Sequence, residues 1–195
     1  MATLHLRAFQ VTETLSSVGA SPIDSRYYIP DAMSASWERF CMDSRCSIEE
    51  IPVSQRGDAL VEQLALLWER SVRATHLFLS EDDIVAMRPE VREGLRAAPQ
   101  LAVAFDGGAP LGFAGVADRK LEMLFIDDAA RGRGIGSALL KHAVDRWGAD
   151  RLDVNEQNPA ARGFYEHEGF RVASRSDLDD AGRPFPLLHM EREAE

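Results

Sequence analysis

The fold is decided by residues 124–144, LFIDDAARGRGIGSALLKHAV. An apolar, strand-like run leads into a turn carrying Gly132, Gly134 and Gly136. A helix over about 134–148 follows, with Ile135, Leu139, Ala143 and Trp147 aimed at a core and Gly148 as its stop. Glycines directly before a helix leave backbone N–H groups uncovered by side chains at the positive end of the helix dipole, a geometry that binds phosphate. Arg131 and Arg133 add charge suited to a pyrophosphate rather than a single carboxylate. The competing reading is a glycine-rich turn that only lets the chain reverse tightly.

Two other phosphate motifs fit less well. A P-loop needs a Gly-Lys pair, and the chain has none. A dinucleotide fingerprint begun at Gly132 or Gly134 finds Ser137 or Leu139 where its third glycine belongs. Asp153 does stand where a ribose-binding carboxylate would, but the turn follows several strands instead of the first. That alternative stays open at this point.

Outward from the turn, the pattern reads βααβββαβαββ. SIEEIPV alternates like a strand, and a helix over about 57–75 carries Leu60, Leu64, Leu67 and Val72, with Asp58 as its cap. A second helix opens at Ser80 with a capping-box variant, and Pro89 is expected to break or restart it. LAVAF and LGFAGVA form a hairpin across DGGAP, KLEMLFID is a third strand, and RLDVN follows the glycine-turn helix. NPAARGFYEHEG is a helix capped by Asn158 with Pro159 at its first position, and FRVAS and PLLHMER close the chain as strands. The first 46 residues, mixed in Ser and Pro without a sustained period, read as a loosely packed extension, and 47–195 as the domain. Translation starting at Met42 is one reading of that extension, and a regulatory arm is the other.

Composition narrows the partners. A chain of 195 residues with 45% hydrophobic content has material for one sizeable core, and no apolar run approaches the roughly 18 residues of a membrane span. The net charge of −10 argues against nucleic acid and favours a basic or amine-bearing partner. No signal segment is visible, so the cytoplasm is the expected compartment, with a monomer or homodimer as the expected assembly. Cys41 and Cys46 read as ordinary thiols, and five scattered histidines suggest no metal site.

Two motifs then resemble the Gcn5-related N-acetyltransferase (GNAT) family. Residues 131–136 match its Arg/Gln-x-x-Gly-x-Gly/Ala motif, and NPAARGFYEHEGF matches its Asn…Ala…Phe-Tyr…Gly-Phe helix. ERSVRATHLFLS, VNEQN and SDLDDAGRPFPLLHM resemble the bacterial YjaB-type subgroup within it. One departure is Asp128, where family members often carry Pro. The resemblance implies an α/β fold of mixed α+β type: a twisted, mostly antiparallel sheet of about seven strands, flanked by four helices and splayed at the cofactor site. It implies acetyl-CoA as cosubstrate and a protein lysine or small cationic amine as acceptor. The pyrophosphate would lie on Arg131, Gly132, Arg133, Gly134, Ile135, Gly136 and Ser137, and the pantetheine arm would pair with main-chain groups of Leu124, Phe125 and Ile126. Asn158 would cap its helix and touch the cofactor, or cap alone.

Acetyl transfer needs a neutral amine, and a lysine of pKa near 10.4 is protonated at neutral pH, so a base is required. Glu122, on the strand before the turn, is the first candidate and His76 the second. Tyr165 resembles the family's tyrosine near the thioester sulfur, with Phe164 expected to face the core and the phenol to face the cleft; plain aromatic packing is its alternative. The acidic SEDD run near the expected acceptor groove favours a cation. An acyl-CoA-binding sensor or scaffold without turnover would carry the same turn.

Overall fold

The computed structural model describes residues 46–193. The N-terminal extension, Cys41 and Met42 lie outside the described residues. Strands and helices alternate in the expected order: β1 Cys46–Glu50, α1 Asp58–Thr75, α2 Glu81–Ala97, β2 Gln100–Asp106, β3 Ala109–Ala117, β4 Lys120–Ile126, α3 Ile135–Trp147, β5 Arg151–Asn155, α4 Pro159–His167, β6 Phe170–Ser176 and β7 Leu187–Arg192. Among the described residues no helix is long and apolar enough to cross a membrane.

The seven strands form one sheet in the order β1-β2-β3-β4-β5-β7-β6. Neighbours are antiparallel except β4 and β5, which run parallel and pair only through Lys120 with Arg151 and Leu121 with Leu152. Beyond that point the two strands separate into a fork. Because they are parallel and paired at their starts, both C-terminal ends lie at the open mouth. β4 runs from there into the glycine turn and α3, and β5 into the start of α4.

Helix α1 buries Val61, Leu64, Leu67, Trp68 and Val72 at helical spacing, an apolar stripe that packs it on the sheet. Its cap differs from the expectation. Gly57 is the N-cap, its carbonyl taking the Val61 N–H at 3.1 Å, while Asp58 is already helical and pairs with Arg96 at 2.9 Å. Pro89 does not break α2 either. Ile84, Met87, Val91 and Leu95 stay buried on both sides of it, so packing outweighs the one backbone hydrogen bond a proline forfeits. The C-terminus of α2 is anchored by buried Arg56, which donates to the carbonyls of Leu95, Arg96 and Ala98 and to Ile51. Between β3 and β4 the backbones pack too closely for a side chain at Gly112: a Cβ there would stand 2.8 Å from the Phe125 carbonyl oxygen.

Candidate functional site

Both helices at the mouth of the fork present their N-termini there. Gly132 and Gly134 adopt left-handed backbone, φ 71° and 77°, which a side chain disfavours, and Gly134 is the N-cap of α3. Gly134 has no side chain with which to cap α3, and the first turn carries no acid. Ile135, Gly136 and Ser137 form that first turn and are buried. Ser137 Oγ sits 2.5 Å from Glu168 Oε1, tying α3 to the end of α4.

The two arginines of the turn divide their work. Arg131 lies half-buried against α1: its guanidinium donates to the Ser71 carbonyl at 3.2 Å and lies 3.4 Å from Asp128. Burial pulls its pKa below the ordinary arginine value, and its charge braces the turn from behind. Arg133 is more exposed and leans on Asp106 at 3.3 Å, a contact loose enough to be exchanged for a phosphate.

Along β4, Asp127 donates its N–H to Leu111 on β3, at 2.8 Å. Main-chain groups alternate sides along a strand, so Phe125 also turns its backbone toward β3, where Phe113 is its partner, while Leu124 and Ile126 turn theirs toward the fork. The main-chain edge open to the fork is therefore that of Leu124 and Ile126. Phe125 contributes its ring, packed 5.5 Å from that of Phe113.

Asn158 caps α4, its Oδ1 accepting the Ala161 N–H at 3.1 Å. Beside it an open cleft of about 570 Å³ separates α4 from the end of α1, with Thr75, Leu77, Phe78 and Pro159 among its lining residues. A lip from the β6–β7 loop meets the α1–α2 loop and α2, with the Phe185 ring 5.9 Å from Phe78 in the loop and Arg183 3.6 Å from Glu90 on the helix. Asp179 holds the lip in shape by accepting from the N–H groups of Ala181 and Arg183 and from Arg183 Nε. No sequence signal marked Asp179, since its partners lie in its own loop and follow no periodic pattern.

Tyr165 and Phe164 are both packed inward, their rings 5.0 Å apart, and Tyr165 is the more deeply buried of the two. The phenol was expected to face the cleft; instead its hydroxyl is enclosed and makes no hydrogen bond among the described residues. Buried hydroxyls normally have partners, so an enclosed one without any stands out. Burial, and then the Glu168 carboxylate nearby, push its pKa well above the ordinary phenol value and keep it a proton donor.

Glu122 stands on β4 just past the last residue paired with β5, about a fifth exposed, 3.5 Å from Lys120 Nζ. His76 is buried beside Phe78, with Nδ1 2.8 Å from Thr75 Oγ1. Burial, assisted by the Arg131 charge, lowers its pKa to about 3. A group that weakly basic is ill matched to an ammonium proton at neutral pH, which leaves His76 a packing role. The SEDD run is largely neutralised at home: Asp83 closes the α2 capping box and Glu81 pairs with Arg73. It gives little support to a cationic acceptor.

A family model described as an acetyltransferase (GNAT) domain matches residues 79–193. The chain is 41% identical over 129 residues to the peptidyl-lysine N-acetyltransferase YjaB of Salmonella typhimurium, covering 66% of this chain and 89% of that protein. It is 30% identical over 119 residues to the peptidyl-lysine N-acetyltransferase YiaC of Escherichia coli, covering 60% and 82%. The solution structure of apo-form YjaB from Escherichia coli matches with a TM-score of 0.66 at 38% identity, over 77% of this chain and 99% of that one.

Proposed function

Because the chain belongs to the Gcn5-related N-acetyltransferase family, we propose that it transfers the acetyl group of acetyl-CoA to the side-chain amine of a protein lysine, by direct attack with both substrates bound. The observation that carries this reading is the left-handed glycine start of α3, with no acid in its first turn, at the open mouth of the β4–β5 fork. Acetyl-CoA supplies a thioester whose carbonyl carbon accepts the amine as the carbon–sulfur bond breaks. N–H groups of the α3 first turn, with Arg133, hold the pyrophosphate, and the backbones of Leu124 and Ile126 hold the pantetheine as an added strand. Glu122 takes the proton the amine must lose, directly or through water, and Tyr165 gives its proton to the departing sulfur. The lip and cleft around Phe78 and Phe185 admit the lysine. The acceptor class rests on the relatives whose names describe peptidyl-lysine transfer.

The test is to incubate the protein with acetyl-CoA and lysine-bearing peptides, following free thiol and peptide mass. The chain holds only two lysines of its own, Lys120 and Lys141, so self-acetylation adds little background. Thiol release coupled to a peptide mass gain is expected. Tight acetyl-CoA binding with no product from peptides or small amines would instead indicate a binding module.

A further inference from the structure

The fork brings charged groups together where its strands part. Its ladder ends at Leu121 and Leu152, so Glu122 and Asp153 are the first residues past the last pair. Side chains alternate along a strand, which puts Lys120 and Glu122 on one face; Lys120 stands opposite Arg151, so Asp153 shares that face. Lys120 Nζ sits between the two carboxylates, 2.5 Å from Asp153 Oδ2 and 3.5 Å from Glu122 Oε2. Asp153 is only 6% exposed, and its Oδ1 lies 2.6 Å from His189 Nδ1, whose Nε2 reaches Ser176 Oγ at 3.0 Å. The contacts thus run across β4, β5, β7 and β6 in turn. Other links at this end, Arg119 with Asp150 and Arg151 with the Asp118 carbonyl, lie on the closed side of the ladder. Among the described residues the Lys120–Asp153 pair is the one ion pair that joins the two strands of the fork.

A buried ion pair need not add much net stability, but removing one member leaves an uncompensated charge and forces its surroundings to move. Without Lys120 that charge would be a carboxylate facing a second carboxylate where the strands separate; without Asp153 it would be the Lys120 ammonium, left with Glu122 alone. We propose that Lys120 and Asp153 form a strut that fixes the opening of the fork and holds Glu122 at its base, making both of them positioning residues for acetyl transfer. The inference rests on the proposed acetyl transfer and on Glu122 as base. The lysine acts through its charge and length, and its close pairing with Asp153 keeps it out of the acceptor role.

The experiment compares Lys120→Met, Asp153→Asn and the double variant with the parent protein. Coenzyme A affinity is read by calorimetry, kcat and KM with a lysine-bearing peptide, and the thermal midpoint by calorimetric scan. Each single variant is expected to lose about tenfold to a hundredfold in kcat, the range a misplaced reactive group costs. The double variant should lose no more than the worse single, because one strut is broken in all three. Coenzyme A affinity should change less than about threefold, since the pyrophosphate turn lies at the other end of the fork. Lys120→Arg, which keeps the charge but not the length, should recover only part of the lost rate. A fall in thermal midpoint with kcat within about twofold of the parent would overturn the proposal, as would additive losses in the double variant. If the truncated variants do not fold, Asp153→Glu serves in their place: it lengthens one arm of the strut, and an unchanged kcat there would equally overturn the idea. A parent protein that binds no coenzyme A would bring down the functional reading, whereas a parent that turns over beside unaffected variants would bring down the strut alone.

Discussion

Helices α2 and α3 begin in opposite ways. Ser80 Oγ accepts the Asp83 N–H at 3.2 Å, Asp83 Oδ2 accepts the Ser80 N–H at 2.9 Å, and Glu81, Asp82 and Asp83 set three acids on the positive end of α2. α3 starts from a left-handed glycine with neither cap nor acid. Helix α1 also starts from glycine but carries Asp58, and α4 has Asn158, so α3 alone among the described α-helices lacks both devices. A helix that only has to be stable satisfies its first N–H groups from its own side chains. One that starts from glycine with no acid in its first turn gives up that stabilisation and puts no negative charge on its positive end.

The comparison breaks most sharply if α3 is given what α2 has. Gly134→Asp places a carboxylate where the pyrophosphate should lie, and aspartate tolerates left-handed backbone better than most residues. The variant is expected to fold, while its acetyl-CoA dissociation constant rises about a hundredfold, roughly 2.7 kcal/mol. Calorimetry reads this directly. An unchanged constant would remove the anion from this turn.

The turn's two arginines differ in what stands behind them, and His76 behind Arg131 gives the next largest effect. Its folded pKa of about 3 lies below the ordinary 6.5. As pH falls through that window the unfolded chain takes up a proton the folded chain refuses, so the folded state loses stability. The unfolded histidine is already half protonated at pH 6.5, so the loss between pH 6.5 and pH 5 is about 1.6 kcal/mol. Denaturant midpoints at the two pH values should differ less for His76→Gln than for the parent. Equal pH dependence in both proteins would mean that His76 is not held neutral by burial.

Much of this contrast was legible in the sequence, because caps, glycines and apolar spacing are local. Ser80, Asn158, the glycine turn and the order of elements follow from neighbours within four residues, and the motifs supplied the family. Asp58 misled because an acid at a helix start can serve as cap or as first-turn charge, and its Arg96 partner is 38 residues away. Pro89 misled because a proline's local cost is offset by burial on both sides of it. The Arg56 anchor and the Lys120–Asp153 strut left no local trace: each depends on which segments the topology sets side by side. The enclosed Tyr165 hydroxyl is a matter of packing, which residue type alone does not convey.

A smaller effect sharpens the contrast from the α2 side. Ser80→Ala should cost about 1 kcal/mol of stability, the usual value of an N-cap, and leave acetyl-CoA affinity unchanged. A thermal scan and a binding titration on the same sample check both halves. A variant that lost cofactor affinity would show that the two helix starts are coupled, and the division between structural and binding termini would fail.

The smallest effect concerns Arg133. Its side chain is 43% exposed and its guanidinium lies 3.3 Å from Asp106. In that setting water and salt screen its charge, and moving it onto a phosphate exchanges one partner for another. Arg133→Ala should therefore weaken acetyl-CoA binding only about twofold to threefold, near 0.5 kcal/mol, a value in the range of exposed ion pairs. The salt response separates this from a steric effect. If Arg133 contributes by charge, the difference between parent and variant should shrink as ionic strength rises from about 0.05 M to 0.5 M, where the screening length drops to a few ångströms. A difference that persists at high salt would mean that the side chain packs against the cofactor instead. A loss of tenfold or more would mean that the arginine, and not the backbone of α3, is the principal anion donor, reversing the lesson drawn from the two helix starts.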